Sequence, residues 1–299
     1  MKRTVTFLIA FLMFSITFSQ TINHEVTEKN GKKMLLGTIN KDGLTKAPYN
    51  DWFNKYHDDY NVNSKIAEKL EDSLKNYTVK VFLGTWCGDS KRQVPRFYNV
   101  LETANFPKNQ LEVYALDHSS ENYKQGPNGE EKGMNIHRVP TFIFYKDGKE
   151  VNRIVEKPQE TLERDIENIV NKKRYNSKYT VANMLFNYIE KSTLEELKKN
   201  ETSFLSSFPE YSEGSKELNS LGYVYKHDKQ MEKALYVFDL NTKMFPKSAN
   251  VFDSLGEAYY ANKNYAEALK NYNKVLELKP KDKNALKMIE EIKKAEDRS

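Results

Sequence analysis

The spacing of apolar residues changes character once along this chain. Up to about residue 170 the apolar positions fall into short β-branched or aromatic runs, separated by stretches of helical period. Val79-Lys80-Val81-Phe82-Leu83 reads as a buried strand and residues 111–117 as a second. Met34-Leu35-Leu36-Gly37-Thr38-Ile39 has the composition of another. Residues 139–145 and 151–155 face each other across Lys146-Asp147-Gly148-Lys149, where Asp-Gly favours a tight hairpin turn. Ser64 is placed to cap a helix through Leu74, with Ile66, Leu70 and Leu74 on one face. Residues 90–102 read as a helix, and so do 158–170, with Leu162, Ile166, Ile169 and Val170 inward. Pro48 suits the first turn of a helix over 48–57, and Trp52, Phe53, Tyr56 and Tyr60 recur at helical spacing as a core-facing stripe. Residues 118–133, with Gly126-Pro127-Asn128-Gly129, are a polar loop.

Past Lys172-Lys173-Arg174, a basic stretch that marks a boundary, every segment reads helical. Leu218, Leu221, Gly222, Tyr225, Ala234, Phe238 and Pro246 recur 34 residues later as Phe252, Leu255, Gly256, Tyr259, Ala268, Tyr272 and Pro280. The glycines allow the two helices of each unit to approach, and the large apolar positions fill the seam. The pattern resembles the tetratricopeptide (TPR) repeat, with repeats at 215–248 and 249–282. Two repeats need covers at both ends: a helix with Ala285, Leu286, Ile289 and Ile292 at one, helices around 181–189 and 194–208 at the other. In the resemblance, residues on the first helix of each repeat line a concave binding face. By position these are Asn219, Tyr223, Lys226, Asp253, Glu257 and Tyr260.

Candidate chemistry concentrates at Gly84-Thr85-Trp86-Cys87-Gly88-Asp89-Ser90, between the first buried strand and its helix. Cys87, the single cysteine, sits where the free N–H groups and positive dipole end of that helix favour a thiolate. Trp86-Cys87-Gly88-Asp89-Ser90 resembles the thioredoxin active site, Trp-Cys-Gly-x-Cys, with Ser90 in place of the second cysteine. Pro95 matches the proline that kinks the active-site helix. Ile136-His137-Arg138-Val139-Pro140-Thr141 resembles the segment carrying the family's cis-proline, here Pro140. The resemblance covers residues 61–172, about a third of the chain. It implies an α/β thioredoxin fold, a central mixed sheet flanked by helices, ahead of an all-α TPR domain. Residues 20–60 become an extension packed on the thioredoxin-like domain, 173–213 a helical linker and cap, and 214–299 the repeats plus a capping helix.

The same resemblance assigns roles. Cys87 is the nucleophile, with Trp86, Ser90 and Pro140 completing the catalytic set. Val139, Gly88 and Asp89 shape the substrate groove. Attack by Cys87 on a disulfide gives a mixed disulfide, which Ser90 is unable to resolve. Release then falls to a substrate cysteine, giving isomerisation, or to an external thiol. The family's buried acid, six residues before the nucleophile, is replaced by Val81. Asp89 opposes a neighbouring thiolate, whereas Lys91 and Arg92 favour it. Cys-Gly-x-Ser is also a monothiol glutaredoxin pattern, which Trp86 fits badly, and Gly84 stands where a peroxiredoxin needs threonine. The alternative to an exchange enzyme is a non-catalytic protein-binding or assembly factor on the same folds.

Composition bounds these readings. The 299 residues suffice for about two domains with real cores. Charged residues make up 30% and mean hydropathy is −0.78, as for a soluble protein. Met1-Lys2-Arg3 and the apolar run over residues 5–18 read as a secretory leader, residues 1–19, with Thr17 and Ser19 suited to cleavage before Gln20. The run is short for a span of about 20 residues; an uncleaved anchor is the alternative. The mature chain is expected in a periplasm or secreted, free of the membrane, and not a lipoprotein, since no cysteine follows the leader. Loss of Lys2 and Arg3 reduces the net charge from +5 to +3, too little to point to nucleic acid. His24, His57, His118, His137 and His227 lack metal-ligand spacing, so no metal or cofactor is expected. His118 and His137 flank the loop within reach of Cys87 and read as ordinary surface histidines. The expected partners are a protein substrate or thiol–disulfide partner at Cys87 and a protein or peptide on the TPR segment.

Overall fold

Strand alternation and two crossovers assemble one sheet from three separate parts of the chain. The computed structural model describes residues 21–119 and 121–296; the leader read at residues 1–19 lies outside them. The first module runs β1 (His24–Thr27), β2 (Lys33–Ile39), α1 (Lys41–Leu44), α2 (Asn50–Asp58), α3 (Ser64–Leu74), β3 (Thr78–Leu83), α4 (Gly88–Thr103), β4 (Leu111–Ala115), β5 (Thr141–Lys146), β6 (Lys149–Val155) and α5 (Leu162–Val170). Its sheet has the order β1-β2-β4-β3-β5-β6. β3 and β4 are parallel and joined through α4, as parallel neighbours require a crossover. β5 lies antiparallel to β3, and Asp147 and Gly148, both at positive φ, turn the chain into β6.

The extension does more than pack on this module. β2 pairs antiparallel with β4, Gly37 opposite Ala115 and Ile39 opposite Val113, so residues 24–39 widen the same sheet. Residues 48–49 form a turn containing a cis Ala47–Pro48 bond, and the helix begins at Asn50 rather than Pro48. Of its aromatic stripe Phe53 is fully buried, while Trp52 and Tyr60 pack against the core from its margin. α3 is capped by Asn63, whose side chain accepts from Ile66 N, rather than by Ser64. α5 begins at Leu162, four residues later than its apolar spacing and Pro158 suggest, because Thr161 caps it.

The two faces of the sheet are covered differently. Val79, Val81, Leu83, Phe142 and Phe144 join α3, α4 and α5 in one large core. The residues of opposite parity, Phe82 and Ile143, meet Leu116, Ile136, Val139 and Met134, which flank or end the polar loop. That loop therefore covers a sheet face where a helix is the usual solution.

The second module is helical throughout: α6 (Thr180–Ile189), α7 (Leu194–Tyr211), α8 (Lys216–His227), α9 (Met231–Met244), α10 (Ala249–Ala261), α11 (Tyr265–Leu278) and α12 (Lys283–Glu296). α8/α9 and α10/α11 are the two repeat hairpins, covered by α6 and α7 on one side and α12 on the other. A Cβ on Gly222 would stand 2.5 Å from the Phe238 ring, and one on Gly256 3.2 Å from Tyr272, so the glycines set the approach of the paired helices. Among the described residues no helix is long and apolar enough to cross a membrane.

The modules are joined by specific polar contacts around the segment before Pro140. Asn135 Nδ2 donates to Asn183 Oδ1 at 2.9 Å, and Arg138 Nη2 to Lys216 O at 3.3 Å. His137 Nδ1 and Ser220 Oγ lie 3.0 Å apart. Ser220 donates its own proton to Glu217 O at 2.7 Å, so it accepts here and the imidazole carries its proton on Nδ1. His137 is thus fully buried between modules, not a surface histidine.

Candidate functional site

The site grows from the end of β3. Phe82 and Leu83 are anchored in the two cores, and the chain then turns through Gly84, Thr85 and Trp86 into α4. Gly84 has no room for a side chain, because the Trp86 indole occupies the space a Cβ would need. Leu35 N donates to Thr85 Oγ1 at 3.2 Å, so β2 of the extension helps hold the turn. Trp86 Nε1 donates to Leu116 O at 2.8 Å, fixing the indole over the end of β4. Cys87 is the N-cap residue of α4, with extended dihedrals and no side-chain capping bond.

This geometry leaves the thiol at the helix N-terminus, half-buried and unpaired with any other sulfur. Its Sγ donates to Val139 O at 3.3 Å, and the following Val139–Pro140 bond is cis. Cys87, Trp86, Val139 and Pro140 are therefore brought together. Gly88, the next residue, is exposed, and a Cβ built on it would meet nothing within 4 Å, so no neighbour crowds the chain there. Asp89 is tied to Arg92 Nη2 at 2.5 Å, so its charge is largely matched one turn along. Ser90 is fully buried, and its hydroxyl accepts from Gly84 N at 3.2 Å; it stabilises the turn that presents Cys87. Beneath the site, Val81 pairs in register with Val113, and both are buried. No charge lies where the acid would be.

Two residues at this site, Tyr123 and Lys124, were not legible from spacing. Asp117 N donates to Gln125 O at 3.0 Å and Lys124 N to Asp117 O at 2.8 Å, so the polar loop closes on itself beside Leu116. That brings Tyr123 onto Trp86, ring centroids 5.8 Å apart, while His118 also lies against the indole at 5.2 Å and pairs with Glu28 at 2.7 Å. Lys124 Nζ donates to His137 O at 2.6 Å. Burial, reinforced by Arg138, pushes the Lys124 ammonium down to about 8, against the pull of Cys87 and Glu156. Burial, helped by Cys87, pushes the Tyr123 phenol upward.

On the repeats, Asn219 is buried. Its amide donates to Asn250 Oδ1 at 2.7 Å and Ser254 Oγ at 3.0 Å, and its Oδ1 accepts from Asn241 at 2.7 Å; it pins α8 to α9 and α10. Tyr223 OH donates to Glu257 Oε2 at 2.6 Å, and Lys226 also pairs with Glu257. Asp253 accepts from Asn284 at 2.8 Å, and Tyr260 lies against Tyr265. A series of ring contacts connects this face to the thiol: Tyr223 to His227 at 6.3 Å, His227 to Tyr123 at 6.4 Å, and Tyr123 to Trp86. Among the described residues no cluster of three or more His, Cys, Asp or Glu side chains is arranged to hold a metal.

Comparison with known proteins agrees with this architecture. The thioredoxin family model matches residues 58–168, and the tetratricopeptide repeat model matches residues 249–282. No curated protein matches the chain. Among solved structures, the first TPR domain of the human RPAP3 protein is similar at 20% identity and a TM-score of 0.28, over 38% of this chain and 88% of that one. The first TPR of Spaghetti (RPAP3), bound to an HSP90 peptide, gives 20% and 0.28 over 38% and 89%. A Pseudomonas aeruginosa protein of unknown function gives 12% and 0.30 over 42% and 82%.

Proposed function

We propose that this chain, a thioredoxin domain followed by TPR helices, exchanges disulfides in polypeptide substrates through Cys87 alone. The observation that carries the reading is the placement of the sole thiol. It is half-buried at the N-terminus of α4, facing the carbonyl that precedes a cis-proline, next to the exposed and uncrowded Gly88. Nothing in a merely structural cysteine needs that placement, since structural cysteines are buried among apolar side chains.

The chemistry balances without an external oxidant. The Cys87 thiolate attacks one sulfur of a substrate disulfide, the S–S bond breaks, and the other substrate sulfur leaves as a thiolate. A thiolate elsewhere in the same substrate then attacks the substrate sulfur of the mixed disulfide. Cys87 departs as a thiolate, and the substrate retains one disulfide in a new pairing. A second active-site cysteine would intercept the intermediate and reduce the substrate instead. Ser90 has no such capability, so the natural outcome is isomerisation. The TPR helices hold the polypeptide: α8 touches the cis-proline segment, and the ring series from Tyr223 through His227 and Tyr123 to Trp86 offers an extended chain aromatic contacts toward the sulfur. The apolar run after Met1-Lys2-Arg3, read as a leader over residues 1–19, supports a location outside the cytoplasm, where substrate disulfides persist.

The test is incubation of the mature chain with a protein whose disulfides have been scrambled. A mixed disulfide through Cys87, absent from Cys87→Ala, together with faster recovery of native pairing, is the expected result. Absence of any adduct with excess substrate overturns the reading in favour of a protein-binding factor.

A further inference from the structure

Without a resolving cysteine, Cys87 must itself be the leaving group each time a mixed disulfide is released. A sulfur leaves more readily as its thiolate is better stabilised. The helix N-terminus supplies part of that stabilisation, and the sheet below supplies none, since Val81 and Val113 are apolar. The groups above the sulfur therefore decide the matter.

We propose that Lys124 is an electrostatic positioning residue for Cys87, an ammonium that the polar loop delivers beside the sulfur to stabilise it as attacking and as departing thiolate. This rests on the reading of Cys87 as the nucleophile.

The placement has three supports. Lys124 Nζ and Cys87 Sγ donate to alternate carbonyls of one short segment, His137 O at 2.6 Å and Val139 O at 3.3 Å, immediately before cis-Pro140. The preceding residue, Tyr123, lies on Trp86, the residue preceding Cys87, so the two short stretches run alongside each other. The loop neck between Asp117 and Lys124–Gln125 fixes the backbone from which the side chain extends. Only one of the three N–H donors of the ammonium is needed for His137 O; the others are available to a charged sulfur.

Lys124, Asn135, Glu156 and Tyr179 all adopt left-handed backbone, φ +61°, +51°, +62° and +57°. The four converge on one polar cluster: Glu156 accepts from Tyr179 and Arg138, Asn135 reaches Asn183, and Lys124 reaches His137. The charges facing Lys124 are Cys87, Arg138 and Glu156 from its own module and His227 from α8. His137 is buried and neutral beside it, its basicity lowered by burial and by Lys124, Arg138 and Arg153. Near Cys87, Asp89 and Arg92 match each other. Burial brings Lys124 close to neutral pH, where its protonation responds to whether Cys87 carries charge.

The experiment is the pH profile of iodoacetamide alkylation of Cys87 in the mature chain, for wild type, Lys124→Met and Lys124→Arg. Lys124→Met keeps the stem and is expected to slow alkylation at pH 7 by about 3- to 10-fold and to move the profile up by about one pH unit, as loss of a close opposite charge does. Lys124→Arg is expected to restore most of the wild-type profile, which a purely structural role would not produce. A folded Lys124→Met with the wild-type profile overturns the proposal. If that variant does not fold, the wild type still decides. After reductive ¹³C-methylation, the lysine signal titrating near pH 8 should fall in pKa when Cys87 is alkylated; a signal that stays put overturns the proposal. Neither readout uses a disulfide. A chain that shows this coupling but forms no mixed disulfide loses the exchange function and keeps the Lys124–Cys87 interaction. A chain that forms adducts with no dependence on Lys124 does the reverse.

Discussion

The two repeat hairpins share seven positions at a spacing of 34 residues, yet they occupy different environments. In α8/α9, Leu218, Leu221, Tyr225, Ala234 and Phe238 are all essentially inaccessible. In α10/α11 the counterparts Phe252 and Tyr259 are only partly buried. Serine occupies the same repeat position twice, but Ser220 receives His137 of the thioredoxin domain, whereas Ser254 serves Asn219 and Tyr223 within the repeats. His227 in the first repeat corresponds to Ala261 in the second. The comparison teaches that a repeat pattern specifies the seam inside each hairpin but not what the outer surface of that hairpin is for. The first hairpin is a structural wall of the thiol site. The second is an ordinary repeat, closed by α12.

The largest expected difference is at the shared glycines. In Gly222→Ala the new methyl would lie 2.5–2.8 Å from three atoms of the Phe238 ring, which is fully buried and has nowhere to go. Overpacking of this kind costs about 1–3 kcal/mol, occasionally more, against a gain of about 1 kcal/mol in helix propensity. A net loss of up to about 2 kcal/mol is expected in denaturant unfolding. Gly256→Ala meets Tyr272 at 3.2–3.3 Å, which a shift of a few tenths of an ångström relieves. There the propensity gain offsets the contact, and a change within about 0.5 kcal/mol is expected. Equal losses at the two sites would break the comparison.

The same contrast explains what the sequence made legible. The strand and helix order, the repeat period and the hairpin turn at Asp147-Gly148 follow from local pattern, because each depends on neighbours in sequence or on a fixed repeat; the set Trp86, Cys87, Val139 and Pro140, which spans more than 50 residues, was legible through the resemblance to thioredoxin. Ser90 and Asn219 were singled out by position alone; the hydroxyl of one and the amide of the other are committed to internal hydrogen bonds. Lys124 and Tyr123 were hidden in a loop with no period, since their meaning depends on how that loop closes at Asp117. His137 carried no signal of burial, because its partner lies 83 residues away on α8. Contacts between modules leave little trace in either module's own pattern.

An intermediate effect is expected from pH. Burial first, then Lys124, Arg138 and Arg153, hold His137 well below the usual imidazole range; burial lowers His227 as well. A histidine with a depressed folded pKa contributes stability above its unfolded value of about 6.5, and that contribution is lost as pH falls. Between pH 7 and 5.5 the unfolded chain takes up a proton at residue 137 that the folded chain refuses, and the expected loss is up to about 1.4 kcal/mol. The acids raised by burial, Glu131, Glu217, Asp228 and Asp253, act in the opposite sense at lower pH. The slope should flatten in His137→Asn, since the term belongs to the docked repeat. A slope unchanged in that variant would show that the docking histidine does not titrate with unfolding.

The smallest expected difference separates the two serines. Ser220→Ala removes the acceptor for the Nδ1 proton of His137, which is wholly buried. Leaving one buried donor unsatisfied costs about 1–3 kcal/mol, and relaxation at the module boundary should keep the loss near the lower figure. Ser254→Ala removes one acceptor of Asn219, whose amide still donates to Asn250, and a 3.4 Å contact from Tyr223, which still donates to Glu257. Its expected cost is about 0.5 kcal/mol, that of an ordinary hydrogen bond with alternatives at hand. The readout that distinguishes docking from plain stability is Cys87 itself. Because His137 O receives Lys124 and Val139 O receives Cys87, loosening the segment through Ser220→Ala should also slow Cys87 alkylation, whereas Ser254→Ala should leave it unchanged. Identical alkylation rates in the two variants would reduce α8 from a wall of the thiol site to a neighbour of it.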